Sequence, residues 1–245
     1  MDIKKASEVG SSLVTATVSA LSKEPFIAVF AAGVQPFVKE GFEKALNNIF
    51  GKNVTQGECR KLGISYQAAI DKINKNIEDG LSVRNDAFFE SDKMGYSEAD
   101  DILEGILKNA MNDMEQRKAK LYGHFLANIA FYPEIDVSTM VAMQKIITQL
   151  TYYHICCVRY LAQNAPFNAE KWNVASTEDT TLKKTQLWLA LKAIDRLGLA
   201  SRVPPYNLGD EIGNIKLSVL GEALYKLMDL ESIDSADLVD IEHIE

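Results

Sequence analysis

An apolar stripe between Ser97 and Phe131 dominates the middle of the chain and constrains its fold more than any other feature. The stripe comprises Ala99, Leu103, Ile106, Ala110, Met114, Leu121, Phe125 and Ile129. Its steps are three or four residues, apart from one step of seven across Arg117 and Lys118, and this spacing is typical of one face of an α-helix. Ser97 and Asp100 form a capping-box pattern at its start. The stretch therefore predicts one long helix on which other helices pack.

Helical periodicity also precedes this stripe. A Phe-rich segment, residues 26–50, carries apolar side chains at helical spacing, and Pro36 predicts a kink or break within it. The glycine-containing residues 51–64 are predicted as a loop, and residues 65–80 as a helix that Ser65 caps. These segments are expected to form a helical bundle together with the long helix.

The pattern changes in the last third of the chain. The later predicted elements are helices at 138–149, 152–163, 182–197 and 218–228, with short strands at 199–203 and 215–217. Helix, short strand, turn-rich tip, strand and helix is the order of a winged helix-turn-helix. The phrases LKAIDRLGLASRV and IKLSVLGEALYKLM resemble the end of many bacterial winged-helix modules, in which a leucine-rich helix closes on Leu-Gly-Leu and the second wing strand runs into a Leu-Gly helix start. The resemblance implies a winged-helix-like module.

The predicted fold class is mainly α, in three parts. These are a helical bundle (residues 1–149), a winged-helix-like module with a small β-hairpin (150–228) and an acidic tail (229–245). The tail holds seven acids and no Lys or Arg, while the whole chain has a net charge of −8, so the rest is almost neutral. An almost neutral body offers no broad electrostatic attraction for nucleic acid or anionic lipid.

The winged-helix resemblance implies that the helix at 182–197 would enter the major groove of DNA. In that case the nucleic-acid contacts would be its four cations, Lys183, Lys184, Lys192 and Arg196. However, the tip of the hairpin carries Asp210 and Glu211 and no cation, and bulky apolar side chains leave few positions on the helix for reading bases. We therefore expect a surface for protein contact. The alternative is a DNA-binding regulator whose bundle dimerises it or senses a signal.

The acidic tail also contains six large aliphatic residues, which a purely solubilising tail would not need. We expect the tail to dock on a neighbouring subunit or to present a short motif to a basic partner. The predicted partner contacts are Leu230, Ile233, Leu238 and Ile241.

Metal binding and disulfide formation are not expected from the cysteines and histidines. His154 and Cys157 are three residues apart on a predicted helix, but a closed zinc site needs four ligands, and the remaining His and Cys residues are scattered. The three cysteines are an odd number, and Cys156 and Cys157 are adjacent, so a disulfide framework is improbable. Buried thiols and a cytoplasmic location are expected instead.

No motif for catalysis or nucleotide binding is present in the sequence, so we expect a non-enzymatic protein without a cofactor. The acids at the start of the long helix, Glu98, Asp100, Asp101 and Glu104, suit its N-terminal dipole. Arg84 and Asp86 are predicted to pair and to pin their loop against that helix.

A membrane-surface effector is the third functional alternative. It rests on the Phe-rich segment, whose polar face mixes lysines with glutamates and so should not favour anionic headgroups. Its most apolar run, Phe26–Val34, is about half the length that spans a bilayer. The interpretation favoured overall is a cytoplasmic interaction or assembly protein that binds a protein partner or self-associates.

Overall fold

The computed structural model describes residues 55–173, 181–204, 209–238 and 241. Over these residues the protein is mainly helical, with seven α-helices and one small antiparallel sheet, which confirms the predicted fold class. The chain divides into two compact units, residues 1–145 and 146–245, and each is described by itself below. The predicted Phe-rich helix and its kink at Pro36 lie outside the described residues.

The first unit is built around a buried helix. Its helices are α1 (Gln56–Glu78), α2 (Glu98–Asn112) and α3 (Lys118–Asn128), followed by the start of α4 (Val137–Gln149). Every residue of α3 except Lys120 is buried, and this helix packs against both α1 and α2. A helix that is buried all round is the centre of its unit rather than a surface element.

The predicted single helix over residues 97–131 is wrong, because the chain breaks between α2 and α3. Asp113 is extended, and its carboxylate accepts hydrogen bonds from the backbone N–H of Glu115 (2.9 Å) and from the hydroxyl of Tyr122 (2.9 Å). It also pairs with the buried ammonium of Lys118 at 2.5 Å. An aspartate that binds nearby groups in this way competes with helical hydrogen bonding. Met114, which the stripe included, is 94% exposed in this break.

The predicted loop over residues 51–64 is also wrong from residue 56 onward, where α1 begins. Thr55 and Glu58 form a capping box at its start, with the Thr55 N–H donating to the Glu58 carboxylate at 2.7 Å. Ser65 is not a cap but a buried residue within α1, and its hydroxyl donates to the Ala119 carbonyl oxygen at 2.7 Å. Glycine inside a helix costs about 1 kcal/mol relative to alanine, which packing against α3 outweighs in α1.

Helices α1 and α3 approach closely at Gly123. A Cβ atom added there would lie inside contact distance of the Ser65 carbonyl oxygen and only 2.7 Å from the Cβ of Ala68. Further along the pair, the side-chain amide of Asn76 donates to that of Asn128 at 2.8 Å, and both residues are buried. The contact therefore needs a residue without a side chain at position 123.

The loop between α1 and α2 is held by the predicted Arg84–Asp86 pair. The guanidinium of Arg84 donates to both carboxylate oxygens of Asp86, and it lies 4.3 Å from the ring centroid of Phe88. Its Nη1 also donates to the Ile129 carbonyl oxygen at 3.3 Å, just after α3. The pair thus fastens the loop to the C-terminal end of α3.

The second unit contains helices and a three-stranded antiparallel sheet. Its elements after α4 are α5 (Tyr152–Gln163), β1 (Phe167–Asn168), α6 (Leu182–Arg196), β2 (Ala200–Arg202), β3 (Asn214–Leu217) and α7 (Val219–Leu227). Strand β3 lies between the other two, with Ile215 opposite both Phe167 and Arg202. The helix and strand positions agree with those predicted to within one or two residues. Strand β1 was not predicted, because two residues are too few to show an alternating pattern.

We predict that Gly123→Ala lowers the free energy of unfolding by about 2 kcal/mol, because the added methyl group meets the backbone of α1. The control is Gly63→Ala, at a helical glycine of α1 where an added Cβ has no atom within 4 Å. This control should raise stability by about 0.5–1 kcal/mol through helix propensity. Urea unfolding of both variants measures the two effects, and equal stability of the two variants would contradict the close approach.

We also predict that Asp113→Ala lowers the free energy of unfolding by about 3 kcal/mol, because it leaves the ammonium of Lys118 buried without its carboxylate. Adding Lys118→Met should restore most of that loss, since the double variant has no buried charge left at this place. The control is Glu104→Ala, which removes a surface ion pair with Lys108 and should cost less than about 1 kcal/mol. Chemical unfolding of the three variants gives the comparison.

Candidate interaction surface

The exposed face of α6 is the candidate functional surface. Thr181 caps the helix, and the buried side chains on its inner face are Leu187, Trp188, Ala190, Leu191 and Ile194. On the outer face Leu182 is 84% exposed and Leu189 is 58% exposed. These two leucines are seven residues apart and therefore lie on the same side of the helix.

The helix that carries the two leucines also carries four cations. Of the four predicted nucleic-acid contacts, Lys183, Lys192 and Arg196 are exposed and Lys184 is half-buried. The ammonium of Lys192 pairs with the carboxylate of Glu211 at 2.5 Å and lies 5.6 Å from the ring centroid of Trp188. The structure thus places three of the four cations at the surface, and one of them is bound to an acid from the hairpin.

The β2–β3 hairpin brings further charge pairs beside α6. The guanidinium of Arg202 donates to the carbonyl oxygen of Glu211 at 2.5 Å and lies 3.7 Å from the carboxylate of Asp195 on α6. Both the helix and the hairpin therefore contribute carboxylates to this region. A carboxylate beside the cations weakens their attraction for phosphate.

Glu170 follows β1, the strand that lies on the other side of β3 from β2, and it binds the backbone of the hairpin. One of its carboxylate oxygens accepts hydrogen bonds from three successive backbone N–H groups, those of Glu211 (3.1 Å), Ile212 (3.2 Å) and Gly213 (3.3 Å). The other oxygen accepts from the Asn173 side chain at 2.5 Å. Burial raises the pKa of Glu170, but these hydrogen bonds to the charged form outweigh it and hold the pKa below its ordinary value.

Sequence reasoning missed Glu170, because its partners are about forty residues further along the chain. The only local signal was an acidic residue in a polar stretch, which has no periodicity. Convergence of successive N–H groups on one anion is a recurrent backbone arrangement, and here the anion is the chain's own carboxylate. Glu170 therefore positions the hairpin, and with it Glu211, against α6.

The structure places the four predicted partner contacts of the tail inside the second unit. Leu230 is 0% exposed, Ile233 5%, Leu238 1% and Ile241 3%. The buried Arg159 of α5 donates through Nη1 to the Ile233 carbonyl oxygen, and the Tyr152 hydroxyl donates to Asp237 at 2.8 Å. The described part of the tail thus packs on α5 of its own unit.

The remaining chemical candidates have structural roles. His154 belongs to the N-terminal cap of α5, where its Nδ1 accepts from the Thr151 N–H at 2.9 Å. Cys156 and Cys157 are buried, and burial raises the pKa of the Cys157 thiol. Asp100 accepts from the Ser97 N–H at 2.9 Å as part of the α2 capping box.

The described part of the chain holds neither a group of metal ligands nor a helix that could span a membrane. There, no three His, Cys, Asp or Glu side chains are grouped so that they would hold a metal ion. Within the same residues, no helix combines the length and apolar character that crossing a membrane requires. The chain matches no family model, no curated protein and no solved structure. What the α6 face does must therefore follow from its own geometry.

We predict that the backbone amide proton resonances of Glu211, Ile212 and Gly213 titrate together, with a midpoint below the usual range of a glutamate. Because the folded-state pKa of Glu170 is lowered, its stabilising effect is present above the ordinary pKa and is lost as the pH falls through the folded value. NMR spectra between neutral pH and about pH 3 follow the transition. In Glu170→Gln the joint titration should vanish, whereas Glu231→Gln, at an exposed acid, should keep it.

Proposed function

We propose that residues 150–228 form a winged-helix-like module of a cytoplasmic, non-enzymatic interaction or assembly protein, and that the exposed face of α6 is its protein-contact surface. The order α6, β2, hairpin tip, β3 and α7 supports the winged-helix part of this proposal, because it is the order of helix, strand, tip, strand and helix in such modules. The fold alone does not define a function, so the proposal rests on the surface of α6.

The pair Leu182 and Leu189 is the observation that carries the proposal. Both are large apolar side chains that stand in solvent on one face of a well-capped helix. Burying a leucine that was exposed contributes about 1.5–3 kcal/mol, so covering both would supply a substantial part of the affinity of a protein complex. Base edges in a DNA groove offer no comparable apolar cover for two leucines.

The charges around the pair indicate the chemistry of the partner. Lys183, Lys192 and Arg196 are exposed on the same helix as the apolar pair, which favours a protein surface that combines apolar side chains with carboxylates. The ion pair of Lys192 with Glu211 reduces the positive field at the same place. The face is therefore better suited to a mixed protein surface than to a row of phosphates.

Binding to DNA is the second candidate, because the same three exposed cations lie on the helix that enters the groove in DNA-binding members of the winged-helix class. The membrane alternative rests on residues 26–50, which lie outside the described part of the chain. The cytoplasmic part of the proposal is supported by the cysteines, since none of Cys59, Cys156 and Cys157 forms a disulfide.

We predict that Leu182→Gln with Leu189→Gln weakens partner binding by about tenfold or more, because it removes the apolar centre while keeping side-chain size. Proteins captured from extract of the native host by the wild-type chain are identified, purified and titrated against both chains. Val219→Gln is the matched control, since Val219 is 84% exposed in the same unit but lies on α7. Light scattering measures self-association of the wild-type chain, the leucine variant and the Val219 control.

The DNA alternative has its own variant, Lys183→Gln with Lys192→Gln and Arg196→Gln, tested on a labelled duplex at several salt concentrations. Loss of a steeply salt-dependent complex in this variant, with an unchanged complex in the leucine variant, would replace protein contact by DNA binding. Equal capture and equal self-association of the leucine variant and the Val219 control would also overturn the proposal. Selective loss of either in the leucine variant supports it.

A further inference from the structure

A groove lies between α5, β3 and α7 of the second unit. The proposed contact face, by contrast, lies on α6. The groove has a volume of about 240 Å³. The C-terminal end of α5 supplies Leu161 and Ala162, strand β3 supplies Leu217, and α7 supplies Tyr225. Leu161 and Leu217 are buried and Tyr225 is half-buried, so the floor of the groove is apolar with one aromatic ring.

Charged side chains line the rim of this groove. Lys216 on β3 and Lys226 on α7 are both exposed, and the acid among the lining residues is Glu222. The lining thus contains two lysines and one glutamate. The rim therefore has a positive balance, in a protein whose total charge is −8.

Charged groups outside the lining also act on Tyr225 at the floor. Burial raises the pKa of Tyr225, as do the nearby acids Glu231 and Asp229, whereas the positive charge of the buried Arg159 lowers it. The two carboxylates and the guanidinium thus change the pKa of the Tyr225 hydroxyl in opposite directions. Among the residues that line the groove itself, the two lysines outnumber the one acid.

We propose that this groove binds a small amphipathic carboxylate, with an apolar or aromatic body on the floor of Leu161, Leu217 and Tyr225 and its carboxylate between Lys216 and Lys226. Small-molecule sites in proteins combine an apolar lining with a few polar groups that fix orientation, and this groove has both. The ligand site is independent of the α6 face, so either proposal stands if the other fails.

The experiment uses two probes of equal ring size, 2-naphthoate and the uncharged 2-naphthylmethanol, titrated into the full-length protein and followed by NMR. The amide signals of Leu217 and Tyr225 should shift with 2-naphthoate, and added salt should weaken the binding. In Lys216→Gln with Lys226→Gln, the affinity for 2-naphthoate should fall about fivefold, while that for the alcohol changes little.

Three further variants make the result decisive. Lys183→Gln with Lys184→Gln removes the same charge from α6 of the same unit and should leave both affinities unchanged. Ala162→Trp places a large ring in the groove from an exposed position and should abolish binding of both probes while the protein stays folded. Shifts that map to other residues, equal affinities for acid and alcohol, or an unaffected rim variant would overturn the proposal. Leu182→Gln with Leu189→Gln should bind 2-naphthoate like the wild type.

Discussion

The carboxylate of Asp113 stands where α2 ends and α3 begins, and the first unit depends on the groups that it binds. It accepts from Tyr122 and pairs with Lys118, whose side chain is 2% exposed. A buried ammonium needs such a partner, so the turn between the helices is held at this residue. The turn allows α3 to pack between α1 and α2, and the contact of Gly123 with Ser65 then sets how closely α1 approaches.

Glu170 has the corresponding role in the second unit. Its carboxylate gathers three N–H groups of the hairpin, and Glu211 of that hairpin pairs with Lys192 on α6. One cation of α6, Lys192, is thus paired with an acid of the hairpin. The large apolar side chains exposed on the helix are Leu182 and Leu189. By binding the hairpin, Glu170 therefore also affects the charge of the α6 surface that we propose for partner binding.

Local patterns predicted the second unit well and the first unit less well. Helix α5 has the bounds that its Thr151 cap and apolar spacing predict, and α6 ends within a residue of the prediction. The break at Asp113 was missed because the seven-residue step over Arg117 and Lys118 preserves helical phase. The start of α1 was missed because the glycines of residues 51–64 indicate a loop unless a neighbouring helix packs against them. At the candidate surface, the cations were predicted from the sequence, whereas Glu170 and the exposure of Leu182 and Leu189 were not.

Caps and periodicity act over a few residues, so they were enough to predict the helical class, the positions of α5 to α7 and the two later strands. Which apolar residues are covered depends instead on how the folded chain packs. Leu230, Ile233, Leu238 and Ile241 belong to an acidic tail and yet are buried, whereas Leu182 and Leu189 belong to an apolar helix and yet are exposed to solvent. The physical reason is that burial depends on contacts between distant segments, and spacing along the chain does not contain them.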